Sequence, residues 1–452
     1  MKLKPTFFLL VCTFIVHLFF IGISRDVEAS ESSGDTVPTI GIEESISEAL
    51  ANSPSIKIKR EAMEEASNAR KKARAGFLPE LSTSYGYTRF SEPQRIKNLS
   101  LLGQTIPKFE FNTEDNYQWK ISAKQPLFTG FAIIGSYELA KLGIDLSKLE
   151  FEKEKLDLVL MVNDVYFNIL RADKTLDVAE RAVDQLKSHV NEAKDIFEAG
   201  IIPINDLLKS EVELANVQHS LTKARNATKL ARSAFNTVLS RPINDPVEVK
   251  DILFHEPTLP DIDECLEKAC RERPEVKILD INIRQTDQQI RLTRSKYYPE
   301  IGLSVDYINA GDDPDVSGSD YHVSSYWQTM AGVSWSFWQW GKTHYSTGEV
   351  KSRRKQLVHV RSGITDKIRL EVKEAVLDLD AAAKNIPTTE KSVRQAEENM
   401  RVSKERYRNQ LTTTTEVLDA QTLLTQARLN YYNSLYDYSL AKARLKHAIG
   451  ER

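Results

Sequence analysis

The side chains best equipped for chemistry in this chain do not assemble into a catalytic pattern. Cys265 and Cys270 sit five apart in a segment that reads as helix. That is about 7.5 Å of rise, beyond the usual reach of a disulfide, so two free thiols are expected. His189, His219, His255, His322, His344, His359 and His447 are scattered without metal-ligand spacing, and no metal or cofactor is expected. There is no P-loop and no nucleophile motif, and no acid-base pair falls in a recognisable pocket. What remains is polar chemistry at helix ends. Thr413-Thr414-Thr415-Glu416 reads as a capping box, and Glu416 and Asp419, three apart, share a helix face. Gly200-Ile201-Ile202-Pro203 reads as a helix end followed by a new start.

The first 29 residues read as an export signal. Lys2 and Lys4 precede an apolar run from Phe7 to Ile21, and Val27-Glu28-Ala29 is a fitting cleavage site. Cys12 lies inside the run rather than after a lipobox, which argues against a lipid anchor. Lys2, Lys4 and Arg25 against Asp26 and Glu28 give the signal +1, so the chain's net −3 becomes −4 on removal. A nucleic-acid partner is not expected at that charge. The chain is 41% hydrophobic, yet no later run is long enough for a transmembrane helix. A membrane contact would have to be made by β-strands.

The body of the chain is an internal repeat. AGFLPELSTSYGY (75–87) returns as SKYYPEIGLSVDY (295–307), with Pro54/Pro274 and Pro79/Pro299 at an offset of 220. From Pro126/Ser336 to Ser240/Gly450 the offset is 210, and the difference falls in a polar segment, Phe90 to Asn116, that reads as a loop. Apolar residues recur in sevens at Ile169, Leu176, Val183, Val190 and Phe197, and again at Leu379, Ile386, Val393, Met400 and Tyr407. Both segments therefore read as coiled-coil-like. The first spans 131–199, roughly 100 Å of helix, and the second 342–409, with a kink expected at Pro387.

The expected organisation is an N-terminal linker (30–42), repeat 1 (43–241), an equatorial linker (242–261) and repeat 2 (262–452). Repeat 1 holds one helix over 43–76, strands near 80–90 and 116–128, the long helix and a helix over 204–239. Repeat 2 holds one helix over 262–296, strands near 300–310 and 326–338, the long helix and a helix over 416–449. In each copy the two shorter helices together match the long one, so every strand starts at one level. The strands alternate: Tyr117, Trp119, Ile121 and Ala123 against Gln118, Lys120, Ser122 and Lys124, and Trp327 to Phe337 against Gln328 to Ser336. Apolar on one face with aromatic ends suits a membrane barrel, although a half-buried soluble sheet alternates in the same way. Four strands are too few to close a barrel.

FLPE and YYPE, QPLFTG before a long helix, AGIIPINDLLKSE at a helical turn, and TTEVLDAQ with LAKARLKHAIG resemble the TolC-like outer-membrane efflux proteins. The resemblance runs from about Glu43 to Gly450. It implies a mainly α chain with membrane β-structure, two repeats of long coiled-coil-like helices each with two strands. Three chains would lend four strands each to one twelve-stranded outer-membrane barrel, continued by an α-helical barrel in the periplasm. It implies a homotrimer in outer-membrane lipid, recruited by a periplasmic adaptor and an inner-membrane transporter for efflux or type I secretion. Tyr407 and Asp206 match a latch at the helical tip, while Thr412 stands where the family's latch carries an arginine. Glu416 and Asp419 match a constriction whose carboxylates, six in a trimer, would attract cations and raise one another's pKa values. Gly200, Ile201, Ile202 and Leu411 match the surface gripped by adaptors. The competing reading, a soluble periplasmic coiled-coil adaptor, calls for one hairpin rather than two.

Overall fold

The computed structural model describes residues 39–96, 99–101, 104–106, 109–252, 260–321 and 323–452. The expected signal peptide, most of the N-terminal linker and residues 253–259 of the equatorial linker lie outside them.

The two copies build matching elements. Repeat 1 opens with α1 (Ile42–Asn52) and α2 (Pro54–Ala75), and repeat 2 with α3 (Ile262–Glu272) and α4 (Pro274–Ser295). Each pair replaces the single helix expected. Proline at the first helical position starts a helix well but pushes the residue before it out of the helical region. Ser53 and Arg273 accordingly adopt ψ 130° and 123° and break the rod at equivalent points.

The strands β1 (Glu80–Arg89), β2 (Asp115–Thr129), β3 (Glu300–Gly311) and β4 (Ser325–Ser334) form one antiparallel sheet in the order β4-β3-β2-β1. β4 stops at Ser334, so Trp335 and Phe337 lie beyond the strand expected for them. Pro126 is accommodated by a register shift between Pro126 and Phe128. The register settles which side chains share a face, because Tyr85 stands opposite Trp119, Ile121 opposite Tyr307, and Tyr307 opposite Trp327. On the other face Lys120, Ser122 and Gln328 converge on Asp306, at 2.9, 2.7 and 3.1 Å. The segment expected as a loop instead carries short strands at Arg95–Ile96, Leu99–Leu101, Gln104–Ile106 and Phe109–Glu110, paired outermost with outermost and inner with inner.

Each strand pair turns into a long helix through two left-handed residues: Gly130 and Phe131 before α5 (Ala132–Glu198), Trp340 and Gly341 before α6 (Lys342–Arg408). A Cβ on Gly130 would stand 2.4 Å from the Ser295 carbonyl oxygen, so that corner admits only glycine. α5 and α6 each have 67 residues, about 100 Å. They pack against α7 (Ile204–Val238) and α8 (Thr414–Ala448), 35 residues each. α6 runs through Pro387 without interruption, and the Thr389 hydroxyl donates to the Asn385 and Ile386 carbonyls just before the proline.

Of the expected sevens, Ile169, Val183, Leu379, Ile386 and Tyr407 are buried, while Leu176, Val190, Phe197, Val393 and Met400 are half-buried. Two cores form. One gathers Tyr166, Phe235, Ile56 and Leu239, the other Val372, Leu379, Leu445 and Ala448. The Tyr166 hydroxyl reaches the Lys250 and Ile40 carbonyls, binding a short parallel pair, Thr39–Ile40 with Glu248–Val249, to α5.

Part-way along α5 and α6 lies an ionic waist. The Arg273 side chain, 6% exposed at the α3–α4 break, donates to both Glu275 and Glu371 at 2.9–3.2 Å. His447 near the end of α8 meets Asp157 at 2.8 Å, and Lys153 also pairs with Asp157. Burial opposes a charge on His447, but its bonds to Asp157 and Glu371 prevail and raise its pKa. Burial would likewise raise Asp157, yet bonds from His447 and Lys153 bring it down to about 2. The His447 bond, with Arg273 beside it, lowers Glu371 against the opposing effect of burial.

Candidate functional site at the helical tips

The far ends of the two hairpins close with the same backbone device. After α5, Gly200 is left-handed (φ 76°), with Gly200 N–H bonded to Phe197 O and Ile201 N–H to Ile196 O. After α6, Gln410 takes that role (φ 61°), with Gln410 N–H bonded to Tyr407 O and Leu411 N–H to Arg406 O. Both are Schellman caps, but only the first has the residue that adopts this conformation without cost. Ile201 and Leu411 follow the left-handed residue in each turn and are exposed, while Ile202 is half-buried.

No hydrogen bond joins Tyr407 and Asp206 among the described residues. Tyr407 is buried, its ring 4.9 Å from that of His189, and its hydroxyl accepts from Thr414 Oγ1 at 3.2 Å. Burial raises its pKa, with Glu192 and Asp206 adding to the rise. Asp206 opens α7, its N–H bonded to Pro203 O and its carboxylate 3.8 Å from Lys209. Asp206 is thus near Tyr407 without being its hydrogen-bond partner.

The expected capping box does not form. Thr413 is the N-cap of α8 but makes no side-chain cap bond, and the helix starts at Thr414 rather than at Glu416. Glu416 turns back across the tip instead. Arg406 Nη1 donates to its Oε1 at 2.8 Å, and the Thr412 hydroxyl donates to its Oε2. Arg406 Nη2 also reaches the Leu411 carbonyl at 3.4 Å. A charge-assisted bond competes well with a backbone N–H for one carboxylate. Asp419 is exposed and lines an open groove of about 630 Å³ between α7 and α8, with Leu208, Lys209, Val212 and Leu418.

Sequence reasoning missed Arg406, His189 and the pair Arg408–Glu192, which at 2.9 Å bridges the two hairpins. Arg406 was detectable in principle, since a Schellman turn folds the chain back and brings positions flanking it into reach. His189 gave no such signal. It is buried with both ring nitrogens unpartnered among the described residues, and burial lowers its pKa.

Cys265 and Cys270 are free thiols. Among the described residues no helix is long and apolar enough to cross a membrane, and no cluster of His, Cys, Asp and Glu is placed to hold a metal.

A sheet with one aromatic face, fed by helical hairpins about 100 Å long, is the build of a channel subunit rather than of a catalytic body. The comparisons agree. Residues 45–240 and 265–451 match the outer membrane efflux protein family, and the chain belongs to that family. It is 20% identical to outer membrane protein TolC of Escherichia coli over 397 residues, 84% of this chain and 76% of that one. It is 22% identical to the alkaline protease secretion protein AprF of Pseudomonas aeruginosa, covering 89% of this chain and 82% of that one. The fold superimposes on the Campylobacter jejuni CmeC outer membrane channel with a TM-score of 0.77 at 16% identity, covering 90% and 85% of the two chains. The protein is accordingly an outer-membrane efflux or secretion channel extending into the periplasm, and the soluble-adaptor reading is set aside.

Proposed function

We propose that three copies of this chain close a twelve-stranded barrel and form a passive exit duct, recruited by a periplasmic adaptor and an energised inner-membrane transporter. One observation carries the reading: β1 and β4 are the two edges of the sheet, and every residue of both is exposed. Unpaired backbone donors and acceptors cannot face lipid, so these edges need partners, and copies of the same chain supply them in the right number.

In this reading the tips are the gate. Glu416 and Asp419 line the constriction, and Tyr407 and Asp206 belong to the contacts that hold it shut. Gly200, Ile201, Ile202 and Leu411 form the surface an adaptor grips. Opening is a parting of the hairpin ends rather than a chemical step, and cargo, whether small molecules or a secreted protein, passes through water. Reconstitution into planar bilayers tests this. Discrete conductance steps from purified trimers are expected; intact trimers that pass no current would overturn it.

A further inference from the structure

We infer that Arg406 sets the charge of the tip constriction by neutralising Glu416, which leaves Asp419 as the one free carboxylate each chain presents there. The inference rests on the constriction reading given above. Arg406 stands four residues before the left-handed Gln410, Glu416 in the first turn of the following helix, and the turn between them brings guanidinium and carboxylate to 2.8 Å. The second carboxylate oxygen accepts from the Thr412 hydroxyl, so both oxygens are engaged. Asp419 has no ion-pair partner among the described residues and stands exposed one helical turn further on. Arg406 also holds the Leu411 carbonyl, which fixes the guanidinium on the Glu416 side of the turn.

The charge count changes accordingly. Each chain brings Glu416 and Asp419 against Arg406, so a trimer carries a net three negative charges at the ring in place of six. A cation entering the ring meets Asp419 free and Glu416 already occupied. Arg406 therefore weakens the site for multivalent cations, and it does so through Glu416.

A double-mutant cycle on the reconstituted channel separates this from a turn staple with no electrical role. Block by hexamminecobalt(III) and reversal potential in a salt gradient are read for wild type, Arg406→Gln, Glu416→Gln and the double variant. Arg406→Gln should tighten block about tenfold or more, since each freed carboxylate attracts a multivalent ion at close range. Glu416→Gln alone should weaken block, because it leaves the Arg406 guanidinium unpaired and takes the ring's net charge from three negative to zero. In the Arg406→Gln background the same substitution should abolish the gain. Arg406→Lys, which keeps the charge, should stay close to wild type and guards against a disrupted turn.

Shifts of block in the same direction in Arg406→Gln and Glu416→Gln, or no tightening in Arg406→Gln, would overturn the inference. Asp419→Asn tells which layer failed. If it weakens block while Arg406→Gln fails to tighten it, only the pairing is wrong; if it leaves block unchanged, the constriction reading itself falls and the inference with it.

Discussion

The waist and the tips are held by the same kinds of side chain in opposite settings. At the waist, Arg273 is buried and grips two carboxylates at once, and His447 joins α8 to Asp157 on α5. At the tips, the guanidiniums of Arg406 and Arg408 are about half exposed and each meets one carboxylate of another element. A buried, multiply bonded ion pair is costly to break because a desolvated charge is left behind, whereas an exposed pair contributes under about 1 kcal/mol. The molecule thus concentrates its ionic strength where the hairpins join the rest of the chain and leaves their ends loosely tied. In a duct that opens at its tips, the first region resists deformation and the second yields to it.

Disabling the waist should have the largest effect. Arg273→Met strands Glu275 and Glu371, and a loss of about 3 kcal/mol is expected, at the lower end of the range for buried pairs because Glu371 is partly exposed. Chemical unfolding of the reconstituted protein measures it, and a loss below that of a surface pair would erase the contrast between the two regions. Next comes Tyr407→Phe, which leaves the buried Thr414 hydroxyl without its acceptor and should cost about 1 to 2 kcal/mol at the tip. The readout is leak current, expected to rise, and an unchanged leak would remove Tyr407 from the gate. The smallest change sharpens the comparison in the other direction. Gln410→Gly relieves a left-handed non-glycine residue, so it should stabilise the second turn by about 1 kcal/mol and make spontaneous openings rarer. More frequent openings would show that the Gln410 side chain, rather than its backbone, matters there.

Much of this architecture was readable in the sequence because it repeats. Helix length, strand alternation and the matching junctions at Pro79 and Pro299 all follow from periodicity and from proline and glycine chemistry. The errors have local causes. Pro54 and Pro274 were visible, but a start signal inside an apolar rhythm was read as continuous helix, and the rods break at Ser53 and Arg273. The segment between Phe90 and Asn116 is polar, and its short strand pairs are set by backbone pairing that polarity does not reveal. At the tip, the position of Glu416 was legible but its partner was not. Local rules favoured a bond to the helix N-terminus, and only the folded turn brings Arg406 close enough to take the carboxylate instead.

The two regions should also answer acid in opposite senses. His447 has a raised pKa in the folded waist, so its contribution is complete below the unfolded value of 6.5 and is lost as pH rises through the folded one. Asp157 and Glu371 are lowered, and they weaken the waist only in stronger acid, Asp157 as pH falls toward about 2. His189, buried against Tyr407 with Glu192 and Lys404 nearby, has a lowered pKa, so the tip loses stability as pH falls below 6.5. The central claim, a firm waist and a yielding tip, is tested most directly by native-state hydrogen exchange on the reconstituted channel at pH 7.5 and 5.5, corrected for intrinsic rates. Going to pH 5.5, amides around 186–193 and 403–414 should lose protection while those around 153–160, 368–375 and 444–449 keep or gain it. A tip more protected than the waist at both pH values, or a shift of the two regions in the same direction, would contradict the account.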